Sequence, residues 1–84
     1  MPNTKTGSHR PLPASTARSL ATALRSRREA AGLTQEDLAS RAQVSVQVVR
    51  RIEAATANPT LGTLHAVTTA LDVSWTDLLV EIGD

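Results

Sequence analysis

The sequence predicts an all-α fold, and three observations carry that expectation. Aliphatic residues and alanine make up nearly all of the 40% hydrophobic content, with Trp75 the sole aromatic. That balance suits closely packed helices better than a sheet, which favours β-branched and aromatic residues. Apolar positions recur mostly at three- and four-residue spacing, and hydroxyl residues and a glycine punctuate the runs where helices start and stop.

Residues 1–14, with Pro2, Gly7, Pro11 and Pro13 among small polar residues and Lys5 and Arg10 as charges, bury too little to order themselves and are expected to form a flexible basic arm. Residues 15–84 are expected to form one five-helix domain. The first helix starts at a cap on Ser15 or Thr16, follows Leu20, Ala23, Leu24 and Ala31, and ends at Gly32, a residue free to take the left-handed conformation. The second begins at Thr34, with Asp37 three residues on as a capping-box variant, and buries Leu38, Ala39 and Ala42. Small Ala39 in mid-stripe lets a crossing helix approach.

The third element is ambiguous at first sight, because Val44, Val46 and Val48 alternate with Ser45 and Gln47 as a strand would. The alternation fails at Val48-Val49, and a strand would bury Arg50 beside Val46 and Val48. A helix capped by Ser45 places Val49 and Ile52 on one face and Gln47, Arg50, Arg51 and Ala54 on the other. The fourth helix is capped by Thr60 and carries Leu61, Leu64, Val67, Thr68 and Leu71 on one side, with Gly62 weakening its first turn. The fifth opens with the pair Ser74 and Asp77 and holds Leu78, Leu79 and Ile82.

Charge divides along the chain. Residues 1–28 hold Lys5, Arg10, Arg18, Arg25, Arg27 and Arg28 without an acid, while residues 72–84 hold Asp72, Asp77, Glu81 and Asp84 without a base. Such asymmetry favours a polyanion near one end, although a solvated tail and helix face give the same pattern. Cysteine is absent, and His9 and His65 are too few and too far apart for a metal cage. No metal or cofactor is expected. His65 lacks a paired base, and no phosphate-binding glycine loop or carboxylate pair stands out, so an enzyme is not expected. No apolar run is long enough for a membrane span, and the first residues lack the apolar stretch of a signal peptide. The expectation is a cytoplasmic, nucleoid-associated protein without a membrane partner.

Two short helices, 35–42 and 46–54, joined by a brief turn and both carrying apolar stripes, have helix-turn-helix spacing. The major groove of DNA accepts one α-helix, and the preceding helix aims it. A helical hairpin with a solvated basic face is the plain alternative. Residues 24–79, "LRSRREAAGLTQEDLASRAQVSVQVVRRIEAATANPTLGTLHAVTTALDVSWTDLL", resemble the Cro/phage-repressor (XRE-like) helix-turn-helix family. The parts that carry the likeness are "GLTQEDLA", "VS" before the third helix, Ile52-Glu53, Pro59, and "ALDVS" leading into "DLL".

The resemblance implies base reading by Val46, Gln47 and Arg51 and phosphate contact by Gln35. It also implies an internal ion pair between Arg28 and Glu53, with Arg50 flanking the bases or touching phosphate. Arg27 and Arg25 are then left for phosphate or solvent. The chain departs from the family at Gln43, where the turn usually has glycine, and at Ala54-Ala55, where Asn-Gly is common. Left-handed backbone at Gln43 or Ala55 would cost about 1 kcal/mol relative to glycine. Losing Asn-Gly leaves Asn58 and Thr60 as the phosphate candidates of that loop. Trp75 is open to two readings, a partly buried core residue or a dimer contact with Leu79 and Ile82.

The expected function is a sequence-specific double-stranded DNA-binding transcriptional regulator, a repressor acting as a homodimer. The alternatives are an antitoxin or controller-type autoregulator holding a protein partner, and a protein-interaction module that has lost DNA binding.

Overall fold

The computed structural model describes residues 11–82, with the side chain of Ile82 outside the described residues. Five helices follow one another: α1 (Ala14–Ala30), α2 (Gln35–Ala42), α3 (Val46–Glu53), α4 (Leu61–Ala70) and α5 (Trp75–Ile82). No strand occurs among the described residues. The ambiguous valines lie on a helix, and their faces divide as the 100° step requires. Val49 and Ile52 are 1% and 2% exposed, whereas Gln47, Arg50, Arg51 and Ala54 face solvent.

Local chemistry explains most of the helix starts. At α2, Thr34 Oγ1 accepts from the Asp37 amide and Asp37 Oδ2 accepts from the Thr34 amide, both at 3.0 Å, a complete capping box with the shorter acid. Those hydrogen bonds, the backbone one foremost, hold the Asp37 carboxyl below the usual range. Ser45 Oγ accepts from the Val48 amide at 3.3 Å, and Thr60 Oγ1 accepts from the Thr63 amide at 3.1 Å. The start of α1 departs from expectation. Its N-cap is Pro13, without a side-chain cap, so neither Ser15 nor Thr16 serves. Proline's fixed φ sets the chain for entry, and its carbonyl accepts from the Ala17 amide at 2.9 Å. Leu12 packs against the core, and Ala14 is already helical. Residues 1–10 of the expected arm lie outside the described residues.

α1 to α4 each end in the same way. The residue after the last turn adopts left-handed backbone, at Gly32, Gln43, Ala55 and Asp72 with φ of 72°, 59°, 61° and 58°. The next amide reaches back six residues inclusive, from Leu33 to Arg28, Val44 to Ala39, Thr56 to Arg51 and Val73 to Thr68, at 2.9–3.1 Å. These are Schellman closures. Only one of the four has glycine at the position that favours it.

The core lies where α1 and α2 both pack against α3, with α4 on α2 and α5 closing against α1 and α4. Leu24, Leu38, Val49, Ile52, Val67, Thr68 and Leu78 are its most buried side chains. The Thr68 hydroxyl is tolerated there because it donates to the Leu64 carbonyl at 2.8 Å. Ala31 and Leu61, placed on apolar stripes by spacing, are exposed, Leu61 by 65%. Ala17 and Ala21 fill the α1 stripe instead, because their small side chains let α1 settle close to its neighbours.

Candidate nucleic-acid interface

The candidate interface is built on α3, whose buried side fixes it to α1 and α2 and whose other side is open. Gln47 and Arg51 are exposed and Val46 is half-buried against the core. No ion pair involves Arg51 among the described residues, whereas Arg50 Nη2 meets Glu36 Oε2 at 3.0 Å across the α2–α3 turn. Both of those side chains are well exposed, so this pair contributes little to stability and exchanges readily for another anion.

A groove runs beside α3 and is lined by Arg51, Thr56, Asn58, Thr60 and Thr63. The two loop candidates, Asn58 and Thr60, are thus brought alongside Arg51. Thr60 is less suited than expected to hold phosphate, which only accepts hydrogen bonds. Its hydroxyl proton goes to Thr63 Oγ1 at 3.1 Å while its oxygen caps α4. Thr63 carries the remaining hydroxyl proton of the pair, a role that spacing did not signal.

Behind α3, Glu53 is buried, with its side chain 1% exposed. Arg28 Nε donates to Oε2 at 2.7 Å and Nη2 to Oε1 at 2.9 Å, a bidentate pair. Arg28 Nη1 also donates to the Leu33 carbonyl at 2.8 Å. Gln35 Nε2 donates to Glu53 Oε1 at 3.1 Å, and Arg25 Nε lies 3.6 Å from the same oxygen. Burial is the strongest single influence on this carboxyl and opposes its charge. The hydrogen bonds from Arg28 and Gln35 and the charges of Arg28 and Arg25 together outweigh it, so it ionises below the usual range. The Glu53 hydrogen bond in turn raises Arg28 further.

The pairing of Arg28 with Glu53 is therefore present as the resemblance implied. Arg27 is placed differently from expectation. Its Nη2 and Nε meet Glu81 Oε1 at 3.0 and 3.3 Å, which turns it towards α5. Arg25, left to phosphate or solvent in the sequence reading, instead stands beside Glu53. On α5, Trp75 is 36% and Leu79 40% exposed, and Val80, unremarked in the sequence, is 82% exposed. Ile82, the third expected dimer contact, has its side chain outside the described residues.

A family model described as helix-turn-helix matches residues 24–78. The chain belongs to the XRE-like helix-turn-helix family. Among solved structures, this helix-turn-helix chain resembles the clp gene regulator ClgR from Corynebacterium glutamicum. The TM-score is 0.75 at 31% identity, over 81% of this chain and 72% of that one. It resembles a point mutant of the restriction-modification controller protein C.Esp1396I with a TM-score of 0.71 and 26% identity, over 82% and 92% of the two chains. An HTH_3 family transcriptional regulator from Vibrio cholerae shares the fold at a TM-score of 0.74 and 24% identity, over 80% of this chain and 38% of that one. Comparison with curated proteins gives no match. No helix among the described residues is long and apolar enough to cross a membrane.

Proposed function

We propose that this helix-turn-helix protein is a sequence-specific double-stranded DNA-binding transcriptional regulator, acting as a repressor by inserting α3 into the major groove. The observation that carries the reading is the division of α3 into a buried side, Val49, Ile52 and Glu53, and an exposed side, Gln47, Arg50 and Arg51. Glutamine pairs with adenine N6 and N7, arginine with guanine O6 and N7, and the half-buried Val46 suits a thymine methyl. In this reading Gln35, at the start of α2, and Asn58, which lines the groove beside α3, hold backbone phosphate. Arg50 joins them when phosphate or a base edge displaces Glu36.

The test is selection of bound duplexes from random DNA, followed by affinity measurements across salt. Enrichment of a defined motif, with affinity that falls steeply between about 50 and 200 mM salt, supports the reading. Weak binding that is flat in salt and without a motif would instead mark a protein-interaction module.

The exposed apolar side chains of α5 favour a homodimer built around Trp75 and Leu79. The selected motif would then be a palindrome with half-sites about one helical turn apart. Leu79→Glu should shift the sedimentation coefficient from dimer to monomer. A restriction-modification controller among the structural neighbours supports the variant reading of a controller-type autoregulator, which would use the same surface to hold a protein partner. In that case the isolated chain sediments as a monomer at all concentrations.

A further inference from the structure

With Arg27 turned to Glu81, the arginines late in α1 that remain beside α3 are Arg25 and Arg28, and both approach Glu53. Their situations differ. Arg28 meets the carboxylate with two hydrogen bonds at 2.7 and 2.9 Å, so its charge is cancelled at contact. Arg25 Nε stands 3.6 Å from Oε1 with its side chain 54% exposed, too far for a hydrogen bond. One carboxylate therefore faces two guanidinium groups, and the charge of Arg25 is surplus.

The oxygen that faces Arg25 also receives Gln35 Nε2, at 3.1 Å. A carboxylate only accepts hydrogen bonds, so Gln35 must turn its NH2 group towards it, which fixes the amide in one orientation and leaves that nitrogen a second N–H. Arg25 and Gln35 are thus no farther apart than the sum of their distances to this shared oxygen. One phosphate spans such a gap, with two of its oxygens at ordinary hydrogen-bond lengths of about 2.9 Å.

We propose that Arg25 and Gln35 form a single two-pronged clamp for one DNA backbone phosphate, held in register by Glu53 Oε1, which makes Arg25 on α1 a phosphate-contacting residue. The proposal rests on the DNA-binding reading and deepens it. The surplus positive charge supplies the attraction, the fixed glutamine amide supplies direction, and neither recognises a base. Arg28 plays no direct part, because its charge is already paired with Glu53, three of its five N–H groups go to Glu53 and the Leu33 carbonyl, and its side chain is only 12% exposed.

The test measures affinity against salt for the full chain on a selected duplex and a scrambled one. Arg25→Gln should weaken both duplexes by the same factor and lower the slope of log K against log salt by about 0.9, the value for one phosphate. Arg27→Gln should leave the slope unchanged. If the clamp acts as a unit, the double variant Arg25→Gln, Gln35→Ala should lose less than the product of the two single losses. An unchanged slope in Arg25→Gln, or losses that multiply, would overturn the clamp while leaving the DNA reading intact. A wild-type protein without any salt slope would overturn the DNA reading itself. Inorganic phosphate, added at constant ionic strength, should not displace DNA; displacement relieved by Arg25→Gln would assign the seat to free phosphate instead.

Discussion

At the scale of single residues, the two faces of α3 give opposite expectations. Gln47 is exposed and packs against nothing in the core, so Gln47→Ala should leave the melting temperature nearly unchanged. It should cost roughly 1 to 3 kcal/mol on the best site and much less on a scrambled duplex. Gln35→Ala should weaken both duplexes alike, and competition between them reads the difference. Arg28→Ala removes the bidentate partner of the buried Glu53 carboxylate, leaving it Gln35 and the more distant Arg25, and should destabilise the fold by about 3 kcal/mol. Arg27→Ala removes only the half-exposed pair with Glu81, worth less than about 1 kcal/mol. Equal melting temperatures for these two variants would refute the assignment. Glu36 holds Arg50 at 3.0 Å on an exposed surface, so Glu36→Gln should raise affinity modestly on any duplex. That gain should shrink when Arg50 is also replaced.

At the scale of elements, the helix ends were readable where the signal is local. Thr34, Ser45 and Thr60 cap α2, α3 and α4 because a hydroxyl two or three residues before a free amide is a short-range device. The start of α1 was not readable, since Ser15 and Thr16 offered the same device and Pro13 competes through backbone geometry alone. Leu61 matched the α4 stripe by spacing but lies in the first turn, beyond the reach of the core. The pairings of Arg27 with Glu81, Arg25 with Glu53 and Arg50 with Glu36 join helices whose relative placement no periodicity encodes. The left-handed backbone at Gln43 and Ala55 follows from the turn positions where glycine was missing. Gln43→Gly and Ala55→Gly should each stabilise the protein by up to about 1 kcal/mol in denaturant unfolding. Either variant losing stability would mean that the wild-type side chain makes a compensating contact.

At the scale of the whole molecule, acid sensitivity is expected from two carboxyls, Glu53 and Asp37. The Glu53 carboxyl ionises below its ordinary value of 4.5 when folded, so the folded protein binds fewer protons there than the unfolded chain. Its contribution to stability is complete above that ordinary value and is lost as pH falls through the lower folded value. Asp37, depressed by its hydrogen bonds with Thr34, acts in the same direction. Denaturant unfolding should therefore show stability declining once pH drops below 4.5, and Glu53→Gln should flatten much of that decline despite starting less stable. A variant with an undiminished acid slope would show that other carboxyls dominate.

The lengthwise division of α3 also bears on how such a protein can diverge. Positions 47, 50 and 51 have almost no packing to lose, while 49, 52 and 53 are walled in on every side. Under the proposed base-reading role of α3, selection can thus rewrite which duplex is preferred by exchanging a few outward letters, and the scaffold does not register the change. A lineage that duplicates this gene can acquire new targets without first acquiring spare stability.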